Sequence, residues 1–450
     1  MPGITGALTP GDVYTAVLQT LVQRTVRLRA HTIPLPWYHV FHGNRSTGES
    51  ARPQPQPWPE GGIRLDLERL KQEMKAHAAQ IGIDLVGVAP ADPFLQEQQR
   101  LEDRKARGHG PNPYEHQVIA ERVYPERWLP GVRAIIACGI SYYHPDAPPP
   151  PGEGAALRGW LSRYCRGNDY HQILKERLLR LAAWLEQQAP GHRHLAYVDT
   201  GPPLDRAVAE RAGIGKFGKH TNLITREYGT WVFLGELLTT LPLPPDEPVP
   251  PACGACTLCI DACPTGALTE WQLDANRCLS YITQMKGVIP PEFRAVMGNR
   301  LFGCDDCQDV CPYNRRARPS PHPEFAPADE LSGGEPDLLQ IMAMTGSDFR
   351  RWFEPTAAGW RGKTTIQRNA VIALGNSGDP AALPALVAAL GSESEVIRAH
   401  AAWALGRLAR LAPAAAPAAR AALAERAGRE TSQTVRIELS AALESLGDHE

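Results

Sequence analysis

The chain has 450 residues, of which 43% are hydrophobic and 21% charged, ordinary globular usage with enough apolar mass for two or three cored domains. Its formal net charge is −2, so whole-molecule charge steers no polyanion and any nucleic-acid partner must be held by a local patch. No run of about 18 apolar residues and no compact signal-type segment occurs, so no membrane contact is expected and the expected location is cytoplasmic.

Residues 1–62 show no sustained periodicity and end in the proline-rich stretch from Ser50 to Gly62. They are expected to be a poorly ordered extension. An amphipathic helix begins with Leu67, Leu70, Met74 and Ala78, and a strand follows at Ile83–Ala89. Further strands are predicted at Ala134–Tyr143, Leu195–Val198 and Trp231–Leu238, with a helix over His171–Gln188 whose apolar face carries Leu174, Leu178, Leu181 and Leu185. This mixture predicts an α/β domain over 63–244 within an α+β chain. Proline-rich loops at 147–152 and 241–251 interrupt and then close it.

Ten cysteines occur, and eight of them crowd between Cys253 and Cys311. In a chain expected to stay reduced, this density points to metal rather than disulfides. Cys253-x2-Cys256-x2-Cys259-x3-Cys263-Pro264 is the bacterial ferredoxin run, in which the proline-flanked fourth thiolate reaches a second cube. Cys278 and Cys304-x2-Cys307-x3-Cys311-Pro312 supply the second set. Reciprocal exchange then assigns Cys253, Cys256, Cys259 and Cys311 to one [4Fe–4S] cluster, and Cys263, Cys278, Cys304 and Cys307 to the other. Paired zinc sites also use four thiolates, but they have no need of a triple Cys-x2-Cys-x2-Cys with a proline-flanked partner. A ferredoxin-like two-cluster domain is therefore expected over 245–325.

The remaining chain, 326–450, turns Ala/Leu/Arg-rich. Asn369-Ala-Val-Ile-Ala-Leu-Gly375 recurs as His400-Ala-Ala-Trp-Ala-Leu-Gly406, with a looser echo at Glu438–Glu444. A period near 30 predicts an all-α, HEAT-like repeat unit, the alternative being a generic helical bundle.

Four other features are ambiguous by spacing. Gly213-Ile-Gly-Lys-Phe-Gly218 satisfies a dinucleotide-type glycine pattern, yet it follows a helix-like stretch, so these glycines are expected to mark a close backbone approach. Asp199 ends a strand, as a cap or as a functional group. Cys138 lies in an apolar strand, whereas Cys165 sits in a polar, aromatic turn and is undecided. Lys286, Arg294, Arg300, Arg315, Arg316 and Arg318, interleaved with aromatic residues, suit phosphates and bases or simply solvated surface.

Together these motifs resemble the epoxyqueuosine reductases, relatives of the corrinoid reductive dehalogenases. The resemblance covers residues 63 to about 445. It is carried by Val198-Asp-Thr-Gly201, by Asp205-Arg-Ala-Val-Ala-Glu-Arg-Ala-Gly-Ile-Gly215, by Gly218-Lys219 before Asn222-Leu-Ile-Thr225, by the cysteine pattern with Cys278-Leu-Ser-Tyr-Ile-Thr283, and by the helical tail. It implies reduction of epoxyqueuosine to queuosine in tRNA by cob(I)alamin, fed by the two clusters from an external electron donor in a monomeric enzyme.

By the same resemblance Asp199 is the general acid, which requires it to be buried and protonated. The corrin-contacting positions fall on Arg122, Cys165, Asp199, Asn222, Leu223, Ser280 and Asp305. Lys286 matches a tRNA-facing lysine, and Arg294 extends that strip. A corrinoid dehalogenase, or a ferredoxin-like electron-transfer module docking through its repeats, are the alternatives.

Overall fold

The computed structural model describes residues 66–110, 113–146 and 157–447; the expected extension 1–62 and the proline loop 147–152 lie outside the described residues. Four strands build the main sheet: β1 (Leu85–Pro90), β2 (Ala134–Ser141), β4 (His194–Tyr197) and β7 (Val232–Thr239). Short pairs occupy the rest, β3 (Trp160–Leu161) with β10 (Arg300–Phe302), β5 (Lys216–Phe217) with β6 (Leu223–Ile224), and β8 (Leu268–Thr269) with β9 (Gln272–Leu273).

The main sheet has the order β1-β2-β7-β4, and every neighbouring pair is antiparallel. This corrects the α/β expectation for the first domain, while the α+β class of the chain stands. The cause of the misreading is β2, which is buried at all eight positions. Such a continuous apolar run normally belongs to a parallel sheet covered on both faces. Here an antiparallel sheet is covered twice. The helices Leu67–Gln80 and Tyr170–Gln188 pack Met74, Leu174, Leu178, Leu181 and Leu185 on one face, and Phe94, Trp128 and helix Asp205–Arg211 pack on the other.

Local chemistry fixes the ends of these helices. Asp66 caps the first through the Arg69 amide, and Asp169 caps the second through the His171 amide. The proline-rich loop after β7 is pinned rather than loose. Asp246 accepts from the Val88 amide at 2.9 Å and pairs with Lys75 at 2.7 Å.

The tail is a stack of helices at Lys363–Ser377, Leu383–Ala389, Glu395–Leu411, Ala416–Ala427 and Gln433–Glu444. The repeated glycines lie where layers touch. A Cβ at Gly375 would stand 2.7 Å from Ala404 Cα, and one at Gly406 would stand 3.2 Å from Ala442 Cβ. The first residue of each echo turns toward the cysteine-bearing part. Asn369 Nδ2 donates to the carbonyls of Thr283 and Leu301, His400 Nε2 accepts from the Ile289 amide at 3.1 Å, and Glu438 takes a fork from Arg294 at 2.6 and 2.7 Å. Arg294 is 1% exposed and spends its Nε on the Ile289 carbonyl, so the expected tRNA-facing strip does not extend to it. A charge that must pair with the inward carboxylate of Glu438 cannot also face solvent.

His400 is fully buried, and burial pushes its imidazole down to about 3. The unfolded chain takes up a proton near the usual value of about 6.5 that the folded chain refuses, so stability falls as pH drops below that point. The wild type should therefore lose about 2 kcal/mol more than His400→Gln between pH 7 and pH 5. Parallel urea titrations of the two proteins at both pH values measure the difference, and identical losses would show that His400 carries no such linkage.

Candidate functional site

Asp199 follows β4 in a left-handed conformation, φ +48°, which Asp tolerates better than most side chains because its short polar group bonds locally. Tyr170 Oη donates to Asp199 Oδ2 at 2.5 Å, and His171 Nε2 stands 3.9 Å from the same oxygen. The Tyr170 ring is locked between Phe233, stacked at 4.0 Å, and His171 at 4.1 Å. Burial and the Asp199 charge push the Tyr170 hydroxyl well above its usual range, so it stays a proton donor to the carboxylate. The Asp199 side chain is 59% exposed. The expectation of a buried acid is thus corrected: the protein orients this carboxyl through Tyr170 but leaves it open to solvent.

Behind Asp199 stand two carboxyls to which the sequence reading assigned no role. Asp205 opens the helix Asp205–Arg211, and burial followed by the neighbouring Asp199 charge pushes it up to about 6. Glu236, 1% exposed, lies on β7 directly opposite Tyr197 of β4. Burial and then the Asp205 charge push it well above the carboxylate range. Its signal was present in the sequence, as the single carboxylate in the otherwise apolar run Trp231–Leu238. His171 is held partly against its burial by Asp169, whose Oδ1 lies 2.6 Å from Nδ1, so its pKa is raised and the charged form is favoured beside Asp199.

The other expected positions divide into surface and interior. Arg122, on the helix Ile119–Val123, pairs with Glu115 at 3.5 Å, while its Nε is buried without a hydrogen-bond partner. Asn222 lies in a tight turn, its carbonyl accepting from the Gly218 amide at 2.8 Å. Ser280 is the second residue of the helix Leu279–Gln284, and Gln284 Nε2 bridges the Ser280 carbonyl and Tyr164 Oη at 2.9 and 3.1 Å. All three are partly exposed.

Cys165, Leu223 and Asp305 instead lie beneath the surface, at 0%, 3% and 1% exposure. Cys165 Sγ donates to the Ser162 carbonyl, and burial pushes the thiol up out of the reactive range. Asp305 accepts from Ser162 Oγ at 2.5 Å and from the Arg163 amide at 2.8 Å. Burial raises it to about 6. Both side chains bond to the turn Ser162–Cys165 from beneath the surface.

The glycine pattern 213–218 is spent on the chain itself. Gly213 has φ +73° and a Cβ there would meet the Glu247 carbonyl at 2.3 Å, while one at Gly215 would strike Leu223 and the Ile224 carbonyl. The close approach expected at these glycines is made by backbone and apolar side chains, including the β5–β6 hairpin.

The cysteine block folds back on itself. Cys311 lies near enough to Cys253 and Cys256 for like charge to push its thiol up beyond the effect of burial, and Cys259 is pushed likewise by Cys253, Cys311 and Cys256. Cys278 responds to Cys263, and Cys307 to Cys304 and Cys278. Cys307 also feels both Asp305 and Cys259, so the two groups adjoin, and the inner one borders the braced turn. Cys256 is exposed. Lys286 is exposed beyond the helix Leu279–Gln284, and so are Arg315, Arg316 and Arg318, whereas Arg300 is forked onto Asp306.

A family model described as a 4Fe-4S double cluster binding domain matches residues 252–314, HEAT repeats match 362–444, and "Epoxyqueuosine reductase QueG, DUF1730" matches 122–200. The epoxyqueuosine reductase of Bacillus cereus is 41% identical over 345 residues, 76% of this chain and 90% of that protein. A crystal structure of an epoxyqueuosine reductase with an epoxyqueuosine-modified tRNA-Tyr stem loop superposes with a TM-score of 0.79 at 38% identity, covering 85% of this chain and all of that one. The Bacillus subtilis enzyme, captured with its catalytic aspartate loop swung out of the active site, gives 0.79 at 37% identity over 84% of this chain and all of that one. On a relationship of this extent, the chain belongs to the epoxyqueuosine reductase family.

Proposed function

We propose that the chain reduces epoxyqueuosine to queuosine within tRNA, with Asp199 as the proton donor, the two cysteine quartets as the electron path, and cobalamin as the group between them. The observation that carries this reading is that Tyr170 holds Asp199 while Tyr164, in the Ser162–Cys165 turn that Asp305 bonds to the inner quartet, lies close enough to feel both Asp199 and Asp305. An epoxide that becomes an alkene gains two electrons and two protons and releases its oxygen as water. A site for this reaction must therefore deliver both, and must deliver them to the same small ring.

The electron side runs inward. Cys253, Cys256, Cys259 and Cys311 would hold the outer cluster, whose Cys256 faces solvent where an external donor docks. Cys263, Cys278, Cys304 and Cys307 would hold the inner one, next to Asp305. Each cluster moves one electron at a time. Cobalamin, when bound, supplies a metal that stores electrons singly and presents them as a pair to carbon. Arg122, Asn222 and Ser280 would hold its polar periphery. The buried, unpartnered Arg122 Nε is a donor suited to a carboxamide oxygen, which is the fit the residues offer.

The proton side is held by the chain itself. Tyr170 fixes the Asp199 carboxyl through Oδ2 and leaves Oδ1 to face the leaving oxygen. Asp205, raised to about 6, stands behind it as a second acidic group. Because Asp199 is open in the free protein, water is excluded from it by the substrate's own bulk when the anticodon loop enters.

Three outcomes test these assignments. Cys311→Ser should abolish the cluster built on Cys253, Cys256 and Cys259 and spare the one that includes its sequence neighbour Cys307; electron paramagnetic resonance showing the reverse would break the crossover. Asp199→Asn should leave both cluster spectra and the melting temperature intact while slowing single-turnover reduction by on the order of 10²–10⁴. An unchanged rate would return Asp199 to the role of a strand-end cap. Lys286→Glu should weaken binding of substrate tRNA and flatten its salt dependence by about one phosphate contact. Affinity and slope both at wild-type values would place the RNA on another face.

A further inference from the structure

Around Gln284, two residues before Lys286, the fold gathers an aromatic and cationic patch from three separate stretches of chain. Tyr114 precedes the helix Ile119–Val123, Tyr281 lies in the helix Leu279–Gln284, and Trp360 with Arg361 forms the turn that opens the helical repeats. The ring centroids of Tyr114 and Tyr281 are 5.4 Å apart, and those of Tyr114 and Trp360 are 5.2 Å apart. The Arg361 guanidinium lies 4.4 Å from the Trp360 centroid and 4.8 Å from that of Tyr114.

The patch is built, not incidental. Tyr114 Oη and Arg361 Nε both donate to the Gln284 carbonyl, at 2.9 and 2.6 Å. These bonds fix both side chains to one backbone atom, so little rotamer entropy remains to be lost when a partner arrives. The side chain of the same Gln284 points toward the candidate site, bridging Ser280 and Tyr164. One residue thus joins the patch to the place where the modified base would react.

Its exposure runs against ordinary burial. Trp360 keeps 57% of its surface open and Tyr114 39%, although both are large rings held in place. Trp360 belongs to none of the apolar clusters formed by the described residues. Trp360 and Tyr114 meet edge to face at 80° with the Arg361 guanidinium over both rings, and an exposed ring so held beside two cations suits an unpaired nucleobase and its phosphate, since every base offers a π-face and a neighbouring anion. A duplex hides those faces, whereas an anticodon loop shows them.

We propose that Trp360, Tyr114 and Arg361 form a stacking platform for an unpaired anticodon-loop base adjacent to the modified nucleotide. The platform rests on the reading of the chain as an enzyme of tRNA, and it adds the contact that presents the loop to the site. Lys286 beside it would take a phosphate, and the rings would take a base.

The two kinds of contact separate in the laboratory. With the full-length, cluster-loaded protein and an anticodon stem-loop RNA as probe, Trp360→Ala should weaken binding by on the order of tenfold to a hundredfold. Its salt slope should stay at the wild-type value, because no phosphate contact is removed. Trp360→Phe should recover most of the affinity, and binding of a fully paired RNA of equal length should not respond to either substitution. Stem-loop affinity unchanged in Trp360→Ala, or an equal loss for paired RNA, overturns the platform while the tRNA reading stands on Lys286→Glu. A wild-type protein that ignores the stem-loop overturns both.

Discussion

Asp305 sits between two cysteines, Cys304 and Cys307, that are candidates for the same cluster, and its carboxylate reaches out of the cysteine block to Ser162 Oγ and the Arg163 amide. A carboxyl 1% exposed is expensive to bury unless its oxygens are satisfied, and these two bonds satisfy it. The consequence is geometric. Asp305 ties the turn Ser162–Cys165 to the cysteine block, and the chain runs from that turn into the helix whose first residue, Tyr170, holds the Asp199 carboxyl. The proposed electron and proton sources are thus linked through one buried hydrogen-bonded carboxylate, which burial raises to about 6.

The helical repeats fix the other side of the same block. Asn369, His400 and Glu438 hold equivalent places in three successive echoes, and each meets the segment from Thr283 to Leu301 through a different hydrogen-bonding partner. Arg368 adds donors to the carbonyls of Thr283 and Gly287 at 3.0 Å each. A repeat array normally presents one face to a partner. Here part of that face is consumed inside the chain, with Arg294 turned inward onto Glu438, while Lys286 and Trp360 stay exposed.

The sequence showed most of the regular elements because their physics is local. Leucines at 3- to 4-residue spacing placed the helix Tyr170–Gln188 and its buried face, and four apolar runs placed the four sheet strands within a few residues. Strand direction was not legible, since a run buried on both faces reads alike in parallel and antiparallel sheets. The cysteine spacing offered the proposed cluster pairing, because a proline-flanked fourth ligand is a covalent constraint on reach, and the fold brings Cys311 near Cys253 and Cys256. Pairing of side chains distant in sequence was beyond it: nothing local to Arg294 announces Glu438, 144 residues on. Glu236 was visible as an anomaly, a carboxylate in an apolar strand, but its neighbour Asp205 became apparent only once β4 and β7 were paired.

On the proposed reading, the open carboxyl of Asp199 suits the size of the substrate. A general acid for a small molecule is best kept neutral by burial inside a closed pocket, but an anticodon loop cannot enter a closed pocket. The alternative is to orient the acid in the free protein and leave its desolvation to the arriving substrate. The observed geometry has both parts: Tyr170, itself locked by Phe233, fixes the carboxyl's direction, and the left-handed turn at φ +48° keeps it forward of the sheet. Two further carboxyls stand behind it: Asp205, raised to about 6 by burial and then by the Asp199 charge, and Glu236, raised well above the carboxylate range by burial and then by the Asp205 charge. On the proposed reading, the exposed Asp199 takes its desolvation from the docked loop, whereas Glu236 already has its own from the fold.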